Sequence, residues 1–251
     1  MAKQQEIADE RVVEGLDLYA RMVGRVLADP QRWLGLDDET PPSAPFPAKV
    51  LDALRDRALG DVTPASPVWS EQPLKRRVDW WVTRIGISAG LAAAAPRVAG
   101  ALADRIPLQP ALGACAAGLA VCATAREHGR TEPADWVPLL ARVLFDRALP
   151  APPGTPADDG EAERRLSDEE GSEPDRRVLA TLGRGAARAA LTLWKLAGTL
   201  WQLSSLLDER PRGGFVSRAV GKLPVVGVAG GWLDERGGIR KASRQTAALL
   251  G

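Results

Sequence analysis

The sequence predicts an all-α protein, an Ala/Gly-rich helical bundle with an acidic disordered linker between two helical halves. Apolar residues recur at three-to-four spacing along several long segments, the period of a helix with one buried face. No alternating run is long enough to build a sheet. Prolines and glycines cut the rest into helix-length pieces, with no fixed-period repeat. At 251 residues the chain can bury a real core in one or two domains.

Residues 3–28 place Val12, Leu16, Tyr19, Val23 and Leu27 on one face, with Glu10, Arg11, Glu14, Asp17, Arg21 and Arg25 between them. This amphipathic helix fills a first segment, 1–29, and is interrupted at Pro30. A Pro-rich connector spans 30–73; it contains PPSAPFP at 41–47, a short helix carrying Val50, Leu51, Leu54 and Ala58, and a loop around Pro64, Pro67 and Pro73.

The central region, 74–149, holds the apolar helices. Ser70 is the expected N-cap of the first, which runs through WWVTRIGISAGLAAAA towards Pro96, with a second piece reaching Arg105. A helix carrying Cys115 and Cys122 follows and ends at Gly129, with Arg126 and His128 in its last turn, where positive charge suits the helix dipole. Thr131, Glu132 and Pro133 open the next, through Trp136, Leu140, Val143 and Leu144.

Residues 150–176 form the acidic linker, and the near lack of aliphatic side chains there predicts disorder, because little burial is on offer against the entropy of ordering. Over 151–175, nine acidic residues face only Arg164 and Arg165, a net −7 within a chain of net +1 that leaves +8 elsewhere. A positive body with a tethered acidic segment can bind an anionic surface, and the segment can compete for the same arginines.

The last region, 177–251, is expected to pack on the central one. Its first helix, 177–207, confines Arg177, Thr181, Arg184, Arg188, Thr192, Lys195, Thr199 and Gln202 to one stripe, with Trp194 and Trp201 on the apolar side. The closing element passes from glycine-spaced apolar sequence to a polar helix. Gly227 and Gly231 form a small-xxx-small pair for close helix approach, Gly113 and Gly118 are also expected to serve helix packing, and Arg236, Arg240 and Arg244 make a basic ridge.

Ile106 to Ala125 is the longest uncharged run, twenty residues, nominally enough to cross roughly 30 Å of hydrocarbon. Only Ile106, Leu108, Leu112, Leu119 and Val121 are strongly apolar, and together they supply roughly −1.5 to −3 kcal/mol of insertion, which Gln109, two glycines and two prolines can cancel. The preceding run, 85–103, carries Arg97 near its centre. The balance favours a helix packed inside protein over an independent span.

No catalytic constellation assembles from the sequence. The single histidine precedes a helix-ending glycine and reads as a cap. Nucleotide-binding glycine patterns are missing, and the acidic pairs Asp158/Asp159 and Glu169/Glu170 lie in the linker, where no fixed separation holds. Cys115 and Cys122, seven positions apart, lie near one helix face as small buried residues rather than a metal or redox pair. Accordingly no catalytic, metal or cofactor site is expected. With no secretory signal at the start, cytoplasmic residence is expected.

The more suggestive group is Lys75, Arg76, Arg77, Trp80, Trp81 and Arg84, directly ahead of an apolar helix. Indoles and cations flanking an apolar helix suit the boundary of an anionic bilayer. With Arg184, Arg188, Lys195, Arg236, Arg240 and Arg244 they form the expected membrane or partner surface. Eight tryptophans and one tyrosine in mostly apolar contexts make poor base-stacking platforms, so nucleic acid is not expected.

Two stretches, WWVTRIGISAGLAAAAPRVAGALADRIPLQPALGACAAGLAVCATAREHGRTEP within residues 80–149 and LPVVGVAGGWLDERGGIRKASRQTA, resemble the EcsC-like family of bacterial proteins over roughly half the chain. The resemblance implies a helical, membrane-associated protein and brings no catalytic residues. Pro107, Pro110, Gly113, Pro224, Gly227, Gly230 and Gly231 match its pattern and take structural roles, whereas the acidic insertion and Arg97 depart from it and argue against full membrane insertion. The leading expectation is a non-enzymatic protein peripheral to the inner membrane face, binding anionic lipid or a membrane protein. A soluble adaptor for a protein partner is the alternative, and an enzyme with an Asp/Glu/Arg site the third.

Overall fold

A computed structural model describes residues 2–34, 62–94, 108–153, 159–167, 184–208 and 231–251. Among the described residues there are eight helices and no strand, so the fold is all-α. They are α1 (Ala2–Ala28), α2 (Pro30–Leu34), α3 (Leu74–Ala94), α4 (Leu108–Glu127), α5 (Pro133–Phe145), α6 (Asp159–Ser167), α7 (Arg184–Asp208) and α8 (Gly231–Leu250). The short helix expected near 50–58, the piece reaching Arg105, and Gly227 lie outside the described residues.

The long uncharged run is the centre of the bundle. α4 packs against α8, α3, α7, α5 and α1, and residues 115–125 are all buried. Its neighbours surround it with protein, so this helix is a core element rather than a span. No helix among the described residues is long and apolar enough to cross a membrane.

Small side chains make that central position workable. Tyr19 of α1 lies across Gly118, where an added Cβ would sit 2.6 Å from the phenolic oxygen, and its hydroxyl donates to the Cys115 carbonyl at 2.9 Å. Gly113, expected to serve the same close approach, does not: nothing lies within 4 Å of its Cβ position. The predicted face of α1 is the buried one, with Val12, Leu16, Tyr19, Val23 and Leu27 all in the core. α7 runs beside α1 and α2: Thr192 Oγ1 donates to the Trp33 carbonyl of α2 at 2.8 Å, and Thr199 Oγ1 approaches Met22 Sδ of α1 at 3.5 Å.

The helix ends follow local rules. Beyond Glu127, the Arg130 N–H donates to the Ala125 carbonyl at 3.0 Å and the Gly129 N–H to the Arg126 carbonyl at 2.9 Å, the paired bonds of a Schellman turn. Gly129 takes φ +86°, which a side chain would resist. His128 closes the same turn: Nδ1 meets the Thr124 carbonyl at 2.8 Å, as its expected capping role requires. α5 starts with proline in its first turn and ends at Asp146 in a left-handed conformation.

Three expectations are corrected. Ser70 does not cap α3, because residues 64–72 form turns and the helix opens after Pro73, whose carbonyl accepts from the Arg76 and Arg77 N–H groups. Part of the segment expected to be disordered, Asp159–Ser167, is helix α6. Ala162 and Leu166, one turn apart, are buried against α1 and α7, and Arg32 pairs with Glu163 at 3.0 Å. Two well-placed apolar side chains anchor a turn that average composition had written off. Finally, the polar stripe of α7 is partly internal: Thr192 and Thr199 are buried, and Lys195 Nζ donates to the Leu166 carbonyl at 2.7 Å.

Glycine positions offer a paired test. Replacing Gly118 by alanine should displace Tyr19 and cost about 1–3 kcal/mol through overpacking, whereas Gly113→Ala should be neutral or stabilising by about 0.5–1 kcal/mol through helix propensity. Urea unfolding of both variants reads the difference.

Cys115 and Cys122 are free thiols sealed in the core. Burial pushes Cys115 from its ordinary value of 9.0 up to about 12, and raises Cys122 and Tyr19 as well. The folded state therefore holds protons that the unfolded state releases, and stability falls as pH rises from about 9 through 12. A thiol reagent at mildly alkaline pH should label neither cysteine until denaturant unfolds the chain. Fast labelling of the native protein would contradict the packing around α4.

Candidate functional site

The sequence group at the start of α3 divides by helix phase. Lys75 and Arg76 are exposed, and Lys75 pairs with the exposed Asp79 at 2.7 Å. Arg77, Trp80, Trp81 and Arg84 follow the i, i+3, i+4, i+7 spacing of a single helix face and turn inward. Trp80, Trp81 and Arg84 are 7%, 1% and 2% exposed, which removes them from any membrane or partner surface. The expected tryptophan-flanked surface is thus corrected: Lys75 and Arg76 remain outside, Arg77 is half-buried on Glu127, and the indoles of Trp80 and Trp81 are sealed in the core with Arg84.

A carboxylate from α4 explains the inward turn. Glu127 Oε1 accepts from Trp81 Nε1 at 2.8 Å and from Trp69 Nε1 at 3.3 Å, while Oε2 pairs with Arg77 at 2.7 Å. Trp69, Trp80 and Trp81 meet edge to face, with centroids 5.4 and 4.9 Å apart in the two successive pairs. A carboxylate in the last turn of a helix faces the negative end of the dipole, so these donors offset an unfavourable position. The Arg84 guanidinium reaches the Leu34 carbonyl at the end of α2. Glu127 and Trp69 were not identified from the sequence; the one available signal was Glu127 as the sole acid of α4.

The other expected surface residues separate similarly. Arg188, Arg240 and Arg244 are exposed. Lys195 is half-buried beneath α6 and leaves the surface set, since its ammonium is held by a backbone carbonyl. The side chains of Arg184 and Arg236 lie outside the described residues, and Gly231 opens α8. Lys241, next to Arg240, adds another exposed cation. The large hydrophobic side chains exposed among the described residues are Val68, Leu74 and Leu249; Leu74 immediately precedes Lys75 and Arg76, and Leu249 follows the α8 cations within about two turns.

A second cationic feature was not foreseen. A cleft of about 300 Å³ opens between α1, the end of α4 and the start of α5, lined by Arg21, Gly24, Arg25, Ala28, Arg126, Thr131, Glu132, Pro133 and Trp136. Arg21 and Arg25 are one turn apart on α1, and Asp17 holds Arg21 Nε at 2.8 Å. Partial burial lowers Arg126 from its ordinary value, opposed by the neighbouring Glu127 charge. Among the described residues, Glu132 is the only carboxylate lining the cleft, and they bring no carboxylate pair for acid–base chemistry together there. Among the described residues, no group of three or more His, Cys, Asp or Glu side chains is placed to hold a metal ion.

No family model, no curated protein and no solved structure matches the chain, so none of them identifies an EcsC-like family.

The Glu127 hub makes a direct prediction. Glu127→Gln keeps an acceptor for the indoles but removes the charge opposite Arg77, and should cost about 1–2 kcal/mol; Glu127→Ala strands all three donors and should cost about 3 kcal/mol. Urea unfolding followed by tryptophan fluorescence measures both.

Proposed function

We propose that this protein is a non-catalytic helical module that associates peripherally with the anionic cytoplasmic face of a membrane, by charge and shallow apolar contact. The supporting observation is the pairing of exposed apolar tips with exposed cations: Leu74 beside Lys75 and Arg76, and Leu249 on the same helix as Arg240, Lys241 and Arg244. Cations at such a boundary draw in anionic headgroups while leucine and valine tips enter the headgroup region. With Trp80 and Trp81 buried, the contact at the start of α3 rests on charge and aliphatic tips, so the association is reversible and salt-sensitive. The positive charge outside the acidic segment acts in the same direction. The EcsC-like resemblance agrees with this reading as a resemblance only.

Sedimentation with phosphatidylglycerol vesicles at low salt is the test, with phosphatidylcholine vesicles as control. Binding should be confined to the anionic vesicles and be lost at ~1 M salt, where the screening length falls to about 3 Å. The double substitution Arg240→Gln, Arg244→Gln should weaken binding roughly thirtyfold, since each cation at the surface is worth about 1 kcal/mol. No sedimentation with anionic vesicles at low salt would overturn the reading and leave an acidic protein as the partner to seek.

A further inference from the structure

The chain leaving α5 carries a motif that the surface reading above does not use. After Asp146 turns it out of the helix, residues 147–153 read Arg-Ala-Leu-Pro-Ala-Pro-Pro and are neither helix, strand nor turn. Every residue from 149 to 153 is a proline or stands directly before one. Ring closure, and the clash ahead of each ring, hold such a stretch in the extended left-handed helix of three residues per turn. Burial follows that period. Leu149 is 8% exposed and Pro152 half-buried, which makes theirs the inner edge. Pro150 and Pro153 line a second edge, Ala148 and Ala151 the third, and all four are exposed.

Positions 150, 152 and 153 have no N–H to donate, so the segment is unsuited to joining a sheet. Its chemistry suits a different receiver. A stiff ridge of prolyl rings with bare carbonyls between them docks on stacked aromatic side chains at little cost in chain entropy. Arg147 stands one turn before Pro150 and two before Pro153, which gives the spacing Arg-x-x-Pro-x-x-Pro with the cation at its N-terminal end. That cation already meets a carboxylate. Asp9 of α1 accepts from Arg147 Nη2 at 2.6 Å, and both side chains are partly exposed.

We infer that residues 147–153 are a docking ligand for a protein partner whose groove is lined by aromatic rings and flanked by a carboxylate, the SH3 type of proline recognition. In the free chain Asp9 occupies the place of the partner's carboxylate, and the core holds Leu149, which such a groove takes together with Pro150. Engagement therefore exchanges Asp9 for the partner's acid and draws Leu149 off the core. The proline edge stands open while the cation and the leucine are sheathed. This surface is separate from the exposed cations on α3 and α8.

The full chain, and a peptide of residues 146–153, are each titrated against an SH3 domain with acidic residues beside its groove, followed by NMR of the labelled domain. Saturable shifts confined to the groove are expected from both. The full chain should bind roughly tenfold to a hundredfold more weakly than the peptide, because Leu149 has to leave its buried position. Asp9→Asn should tighten binding of the full chain about threefold by releasing Arg147 from a partly exposed pair. The double substitution Pro150→Ala, Pro153→Ala should abolish binding with the helical circular dichroism unchanged, since both rings are exposed. Arg240→Gln with Arg244→Gln should leave it unaltered, which keeps this outcome distinct from vesicle binding. Absence of saturable binding by the full chain overturns the proposal, as does binding indifferent to the two prolines or retained by a domain whose groove tryptophan is replaced by alanine. Equal affinities of the wild-type chain, Asp9→Asn and the peptide overturn the sheathing.

Discussion

Close approach to a helix of small residues is the constraint on which this bundle rests. α4 offers alanine, glycine and cysteine where most core helices offer leucine, and each such side chain removes little surface from water. Its contribution comes from letting neighbours lie against the backbone, where many weak contacts accumulate. Tyr19 over Gly118 is the clearest instance, since the phenol occupies the space of a missing side chain and reaches a backbone carbonyl of the same helix. Cys115 repeats the pattern from the other direction, its thiol lying 3.6 Å from the Leu193 carbonyl of α7. Bulk is supplied by the surrounding helices, through Leu16, Met22, Trp81, Trp136 and Leu140.

Interior charge is handled by local neutralisation. Arg77 ends on Glu127, Arg84 on a backbone carbonyl, and Arg147 on Asp9 at 2.6 Å. A partly buried guanidinium tolerates its position only when acceptors meet it with good geometry. The Arg126 guanidinium is placed differently, partly withdrawn from water beside the Glu127 charge and open to the cleft. The exposed cations of α3 and α8 stand under another regime, in which water and salt screen each charge and only their number and clustering carry weight.

What the sequence disclosed is whatever depends on neighbours in the chain. Periodicity placed the buried face of α1, and a histidine before a glycine marked the end of α4. The group at the start of α3 was legible in part. Its residue types suggested a bilayer boundary, but the phase of Arg77, Trp80, Trp81 and Arg84 already assigned them to one side of the helix. Deciding that this side faces inward needed Glu127, which is 46 positions from Trp81 and 58 from Trp69. The arginine cleft was hidden for the same reason, because α1 and the corner between α4 and α5, far apart in sequence, supply its walls. Composition misjudged α6, where two apolar residues in register outweigh an acidic average.

The polar contacts between distant helices weave the chain ends together. Thr124 of α4 shares a hydroxyl contact of 2.8 Å with Ser243 of α8, and Met22 of α1 meets Thr199 of α7. The regions before and after the acidic segment are consequently interleaved, each completing a core the other begins. With the chain cut between α6 and α7, each fragment would keep only part of that core and leave its apolar faces uncovered until the other returned.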